Sequence, residues 1–229
     1  MTKVDLTDPI YHDDDAAREH LEALLWPHGP TCPRCGITGD RITKLQGKST
    51  RPGVHKCKDC RKPFTVTIGT VMERSKVPLC KWVMAAQLMA SSKKGMSAKQ
   101  LERMLGTNYE TAWFLFHRLR ECAIDPARGP IGGGNKTDEV DETYVGGKAK
   151  NAKRGKPVPK KEAVVALVER NMMGSFHSVS EAHLYRYLAE FDFRHNTRDL
   201  TDGERANELL AAAKGKRLLY NQPRQTANA

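Results

Sequence analysis

The chain has 229 residues, 39% of them hydrophobic and 28% charged, an ordinary balance for a globular protein and enough chain for two small domains. No apolar run approaches the length of a membrane span, and the opening "MTKVDLTDPIYHDDDAAREH" is acidic where a secretory leader is basic and then apolar, so the expected location is the cytoplasm, with no membrane partner. The net charge of +11 is uneven: residues 1–31 carry 2 Lys/Arg against 7 Asp/Glu, residues 32–136 carry 20 against 7, and residues 137–229 carry 16 against 13. A positive middle third is the electrostatic footprint of a nucleic-acid surface, although a basic run alone is more often a solvated face.

In chain order, residues 1–31 read as an acidic N-terminal helix or leader. Then "CPRCG" and "HKCKDCRKPF" place Cys32, Cys35, Cys57 and Cys60 in a C-x2-C-x21-C-x2-C pattern. Two such knuckles each present a pair of thiolates to one tetrahedral zinc ion. Two disulfides fit less well, because nothing suggests secretion and the remaining Cys80 and Cys122 sit singly inside helical patterns. His55 adjoins the second knuckle, but the four cysteines are better spaced for one ion. The expectation is a structural zinc ribbon over residues 32–70 with a closed metal site. Within it "FTVTIGTVM" alternates Phe64, Val66 and Ile68 with Thr65 and Thr67, which predicts a strand closing the ribbon's small sheet.

Residues 71–122 read as helical. "VPLCKWVMAAQLMASSKK" carries Trp82, Ala85, Ala86 and Met89 at helical spacing. Two capping boxes follow, Ser97 with Gln100 and Thr107 with Glu110, separated by the helix-ending Gly106. A short helix, a glycine turn and a second helix burying Ala112, Trp113, Phe116 and Leu119 make a helix-turn-helix pattern, whose outward DNA-contacting residues would be Tyr109, Thr111 and Arg118. The alternative is an ordinary helical hairpin packed under the ribbon. Coincidence with the most basic third of the chain favours DNA.

Residues 123–136, "AIDPARGPIGGGNK", lack periodicity and read as a linker. Next comes "TDEVDETYVGGK", with four carboxylates in five positions on a stretch of strand propensity. Alternation puts Asp141 on the face shared with Glu139 and Thr143. A carboxylate on the first strand after a DNA-binding module points to metal-dependent phosphoryl transfer.

The order of "CPRCG", "KCKDCRKPFTVTIGTVMERSKVP", "KWVMAAQLMASSKKGMSAKQLERMLGTNYETAWFLFHRLRE", "DEVDETYVGGK" and "SEAHLYRYLAEFDFRHNTR" resembles bacterial insertion-sequence transposases that join a zinc ribbon to an RNase H-like DDE-type catalytic domain, over nearly the whole chain. The resemblance implies that Asp141 is the first metal-binding aspartate, with Mg²⁺ or Mn²⁺ serving an intact catalytic domain. It also implies that Lys148, Lys150, Lys153 and Arg154 belong to a basic DNA-binding segment. The implied partners are double-stranded DNA and either a second copy or an intact transposase in a mixed dimer. Such domains carry a second aspartate on a later strand and a third acidic or amide residue on a helix beyond it, yet no aspartate lies between Asp141 and Asp192. "EAVVALVER" resembles the following strand and "NMMGSFHSVSEAHLYRYL" resembles the C-terminal region, so the junction from Arg170 to Gly174 reads as an internal deletion. Glu162, Glu169, Glu181, Glu190 and Asp192 each have a structural explanation, and His177, His183 and His195 read as surface or helix-end residues.

The fold class expected is therefore α+β multidomain: a zinc ribbon, a helical DNA-binding segment, and an incomplete RNase H-like α/β remnant over residues 137–229. The expected function is that of a transposase-family protein that binds element ends but has lost cleavage and strand transfer. A non-catalytic DNA-binding regulator or inhibitor of transposition is the second reading, and a zinc-ribbon module for RNA or protein the third.

Overall fold

The computed structural model describes residues 4–47, 49–124, 142–145, 162–165 and 181–218. Helix α1 (Asp14–Leu25) begins where the Asp13 carboxylate accepts the N–H groups of Asp15 and Ala16 at 3.3 and 3.2 Å, with two more aspartates in the first turn at the positive end of the helix dipole. Its stripe of Ala17, Leu21 and Leu25 is buried.

The ribbon is an antiparallel sheet ordered β1-β2-β3, formed by β1 (Ile42–Lys44), β2 (His55–Cys57) and β3 (Pro63–Phe64). Its register sets Ile42 opposite Cys57 and His55 opposite Phe64. The strand expected to run on through Ile68 stops at Phe64. Beyond it the threonines bond locally: the Thr65 and Thr67 hydroxyls lie 2.9 Å apart, and Thr70 donates its hydroxyl to the Thr67 carbonyl at 2.7 Å. Those bonds give the backbone a turn in place of a ladder. The apolar alternation is used nonetheless, because Phe64 enters the ribbon's cluster with Cys32 and Cys57 while Val66 enters the helical core.

Helix α2 (Leu79–Ser91) is apolar on nearly every side and lies in the centre of the molecule; its N-terminus is capped from α1, the Asp14 carboxylate accepting the Cys80 N–H at 3.1 Å. Helix α3 (Ala98–Leu105) is capped by Ser97, which accepts the Gln100 N–H at 3.2 Å, and ends at Gly106 with φ 58°, a left-handed conformation that glycine adopts without strain. The N-cap of α4 (Tyr109–Ala123) is Asn108, accepting the Thr111 N–H at 2.9 Å, so the expected box of Thr107 with Glu110 is displaced by one residue. Asn108 holds the extended backbone that a cap needs, and asparagine caps at least as well as threonine.

Strands β4 (Glu142–Val145) and β5 (Glu162–Val165) pair antiparallel, Glu142 opposite Val165. Helix α5 (Glu181–Asn196) follows, then α6 (Asp202–Ala211), which opens on a capping box of Thr201 and Glu204.

Helix α6 packs most extensively on α2, and α5 on α4. Leu209, Leu210 and Ala213 join one apolar cluster with Leu21, Trp82, Leu101, Phe116 and Leu119. The stretch expected as a separate unit, 137–229, thus contributes its two helices to the core of the first 124 residues. Along α4, Trp113 and His117 meet His183, His117 also meets Tyr187, and Arg120 meets Glu190. Contacts that advance together along both helices mean that α4 and α5 run parallel.

Candidate metal centre and nucleic-acid interface

Each cysteine pair is shaped by its own tight turn. In the first, the Cys32 N–H donates to the Ile37 carbonyl at 2.8 Å and the Gly36 N–H to the Cys32 carbonyl at 2.9 Å. The residue after each pair, Gly36 in one and Arg61 in the other, holds a positive φ of 73° and 57°, so both knuckles curl the same way. The result brings all four Sγ atoms within 4.8 Å of one another, with Cys32 and Cys60 at 3.7 Å and Cys35 and Cys57 at 3.5 Å. A zinc ion bound at about 2.3 Å by four thiolates has tetrahedral edges of about 3.8 Å, so the donor set fits the ion. Four protein ligands leave no position for substrate, which makes the centre structural.

The thiols are electrostatically interdependent. Burial works against ionising Cys32, but N–H groups of Arg34 and Cys35 and the thiols of Cys35 and Cys60 outweigh it and bring its pKa to about 7. The Ile37 N–H favours the Cys35 thiolate, yet the Cys32 sulfur, burial and the other two thiols push Cys35 up to about 12. Without a cation, one thiolate suppresses the next; a bound divalent ion supplies the charge that lets all four ionise.

Behind the cysteines lies an aromatic wedge that the sequence did not announce. Trp26, just past α1, meets His55 edge-on at 5.2 Å and Phe64 at 5.8 Å, while His55 stacks on Phe64 at 5.7 Å. Trp26 packs against both the ribbon's cluster and the helical core. His55 is 3% exposed, and burial lowers its pKa. It stands outside the thiol cluster and serves as packing.

The α3–α4 turn presents Met104 and Tyr109, 49% and 47% exposed, with the Lys99 ammonium 5.9 Å over the Tyr109 ring. Thr111 is half-buried. Arg118, expected to face outward, is 8% exposed: its Nη1 donates to the carbonyls of Val71 and Glu73 at 2.7 and 3.2 Å, and its guanidinium lies 4.4 Å over Phe114. It braces α4 against the chain leaving the ribbon. Trp113 is half-buried against His117 and His183, and residues 115–120 are buried on every side because α5 covers the face that α2 leaves open. Among the described residues of α4, Tyr109 and Glu110 in its first turn are the exposed ones.

Asp141, Lys148, Lys150, Lys153 and Arg154 lie outside the described residues. Of the later acids, Glu190 is 1% exposed and committed to two cations, accepting from Arg120 Nε at 2.5 Å and pairing with Arg194 one turn on. That triad looks in sequence like surface charge on a helix; only the partner helix reveals it as buried.

Residues 12–63 match the transposase zinc-ribbon domain, a span that takes in α1, all four cysteines and the start of β3. Over 141 residues the chain is 29% identical to an uncharacterized protein in the transposable element ISH50 of Halobacterium salinarum, a match covering 60% of this chain and 44% of that relative. The match thus spans less than half of the relative's length. No solved structure matches the chain. Among the described residues no helix is long and apolar enough to cross a membrane. The ribbon match and the four clustered thiols support a zinc ribbon with a structural zinc centre, in a chain similar to a transposase zinc-ribbon domain and to a protein in a transposable element.

Proposed function

We propose that the chain is an insertion-sequence transposase-lineage protein that binds duplex DNA at element ends and has lost efficient cleavage and strand transfer. The observation that carries the reading is the match of residues 12–63 to a transposase zinc ribbon whose four thiols converge for one ion. DNA as the partner is supported by the charge of residues 32–136, 20 Lys/Arg against 7 Asp/Glu, and by the open first turn of α4 beside Lys99. The basic residues Lys148, Lys150, Lys153 and Arg154 would extend that surface along the phosphates.

The catalytic loss is supported by the acids. Two-metal transfer needs several carboxylates to hold both ions in line with the scissile phosphate. Asp141 is the residue this reading assigns to Mg²⁺ or Mn²⁺, no aspartate follows before Asp192, and Glu190 is spent on Arg120 and Arg194. An exposed first turn of α4, together with the lack of an aspartate between Asp141 and Asp192, also favours a regulatory role, occupying ends or forming mixed dimers with intact transposase in the cytoplasm.

The test titrates the full chain onto labelled duplexes carrying the parental element's terminal repeats and onto unrelated duplexes, between 50 and 200 mM salt, with Mg²⁺ or Mn²⁺ present. Expected are a preference for the repeats, an affinity falling about tenfold or more over that range, and no nicking. Absence of duplex binding would overturn the DNA reading in favour of an interaction module. Cleavage at the repeat ends that Asp141→Ala abolishes would overturn the catalytic loss.

A further inference from the structure

Between the ribbon's exit and α4 runs a groove of about 210 Å³. One wall is Arg74, Ser75 and Lys76; the other is Thr111, Phe114 and Arg118, three residues on one stripe of α4. Arg74 and Lys76 are exposed, and Arg74 takes a left-handed φ of 58° that arginine rarely adopts. Arg118 is the buried cation of the groove, 8% exposed, with its Nε lacking any hydrogen-bond partner among the described residues.

Arg118 is held by the carbonyls of Val71 and Glu73, and the cations around it share one carboxylate. Glu73 is the nearby carboxylate, and its oxygens are already engaged, one by the Gly69 N–H at 3.1 Å and the other by Arg217 at 3.4 Å and Arg74 at 3.9 Å. Burial lowers the Arg118 pKa, Arg217 lowers it further, and Glu73 opposes them. The Ser75 hydroxyl accepts from the Val77 N–H at 3.1 Å and from the Trp82 indole at 3.3 Å, which leaves its own proton to donate. Two exposed cations, a buried one with an unmet donor and a hydroxyl with a spare proton thus line one groove, beside Val77, Trp82 and Leu115, and are the donor types that a tetrahedral oxyanion takes.

We infer that this groove is a phosphate site that takes one phosphodiester of a duplex backbone beside the first turns of α4. The assignment to DNA rests on the function proposed above; the anion chemistry does not. The open walls suit a phosphate presented on a polymer, and a contact at this place would fix the register of the Tyr109 turn on the duplex.

The experiment uses the full chain, Arg74→Ala, Lys76→Ala, and Arg198→Ala as a surface-charge control, Arg198 being exposed beside Asp199. Duplex affinity is measured by fluorescence anisotropy from 50 to 200 mM salt, and inorganic phosphate is titrated while the Ser75 and Thr111 amides are followed by NMR. Because Arg74 and Lys76 are exposed, equal melting temperatures will show that the variants fold. Expected is a salt slope shallower by about 0.9 for Arg74→Ala or Lys76→Ala, the loss of one phosphate contact, with the Arg198→Ala slope unchanged. If the wild type binds duplex and both groove variants keep its affinity and slope, the groove is not the phosphate site although the DNA reading stands. If no duplex binds but inorganic phosphate shifts both amides in the wild type and not in Arg74→Ala, the DNA source is overturned and the site belongs to free phosphate. No response to either ligand overturns the inference entirely.

Discussion

His117 is wholly buried on α4, and neither ring nitrogen has a hydrogen-bond partner among the described residues. Burial first, then the nearby Arg120, His183 and Arg186, bring its pKa down to about 2. The unfolded chain takes up a proton near pH 6.5 that the folded chain refuses, so the stabilisation is complete above that pH and is lost as pH falls toward 2. Urea denaturation between pH 7 and 4 should show stability falling with acid, this one proton contributing up to about 1.4 kcal/mol per pH unit. His117→Leu should flatten that slope and leave stability near pH 7 unchanged or higher, since it removes two orphaned nitrogens. His55, also held neutral by burial, will keep some slope in the variant. An unaltered slope would show that His117 is not what resists the proton. At this scale the four cysteines were legible because spacing alone encodes a tetrahedral site. Arg118 was misread, since periodicity tells which face a residue shares but not whether another segment covers it. Trp26 and His117 carried no signal, for their roles depend on ring partners far along the chain, His55 and His183.

Between elements, the contact most dependent on a few atoms joins α4 to α5. Arg120 is 2% exposed, lies 4.0 Å over the Tyr187 ring and is neutralised by Glu190, which Arg194 of the next turn also engages. Breaking a buried pair from one side strands the other charge, at a cost of about 3–5 kcal/mol. Glu190→Ala should therefore lower the unfolding free energy by about that much in chemical denaturation. A loss below about 1 kcal/mol would mean that Arg120 reaches solvent or another acid. Elements themselves were well legible: Ser97 caps α3 where the sequence places it. The errors are local, a cap at Asn108 rather than Thr107 and a strand that ends at Phe64, and both come from short polar side chains competing for backbone groups.

For the whole molecule, the decisive fact is that residues 181–218 complete the core of residues 4–124. Arg194 and Arg205 donate to the carbonyls of Met89 and Ala90 at 3.2 and 2.8 Å, closing the C-terminal end of α2, while Leu209 and Leu210 are buried against it. Removing two such leucines costs about 4–10 kcal/mol, comparable with the roughly 5–15 kcal/mol that stabilises a whole domain. A chain ending at residue 124 should thus lose cooperative thermal unfolding of its helices by circular dichroism while still binding one zinc. A sharp melt like that of the full chain would show that the first 124 residues are self-sufficient. The buried stripe of Ala206, Leu209 and Leu210 on α6 could not be assigned a destination from sequence, because a stripe does not name the surface it covers.

The parallel course of α4 and α5 has a consequence for how such a gene can change. Residues 124 and 181, which bound the stretch of sequence between those helices, both belong to one packed body. Closing a loop costs only about 0.6 kcal/mol more for each doubling of its length. By that arithmetic, a change in the length of the stretch between 124 and 181 adds little entropic cost to closing the packed body around it.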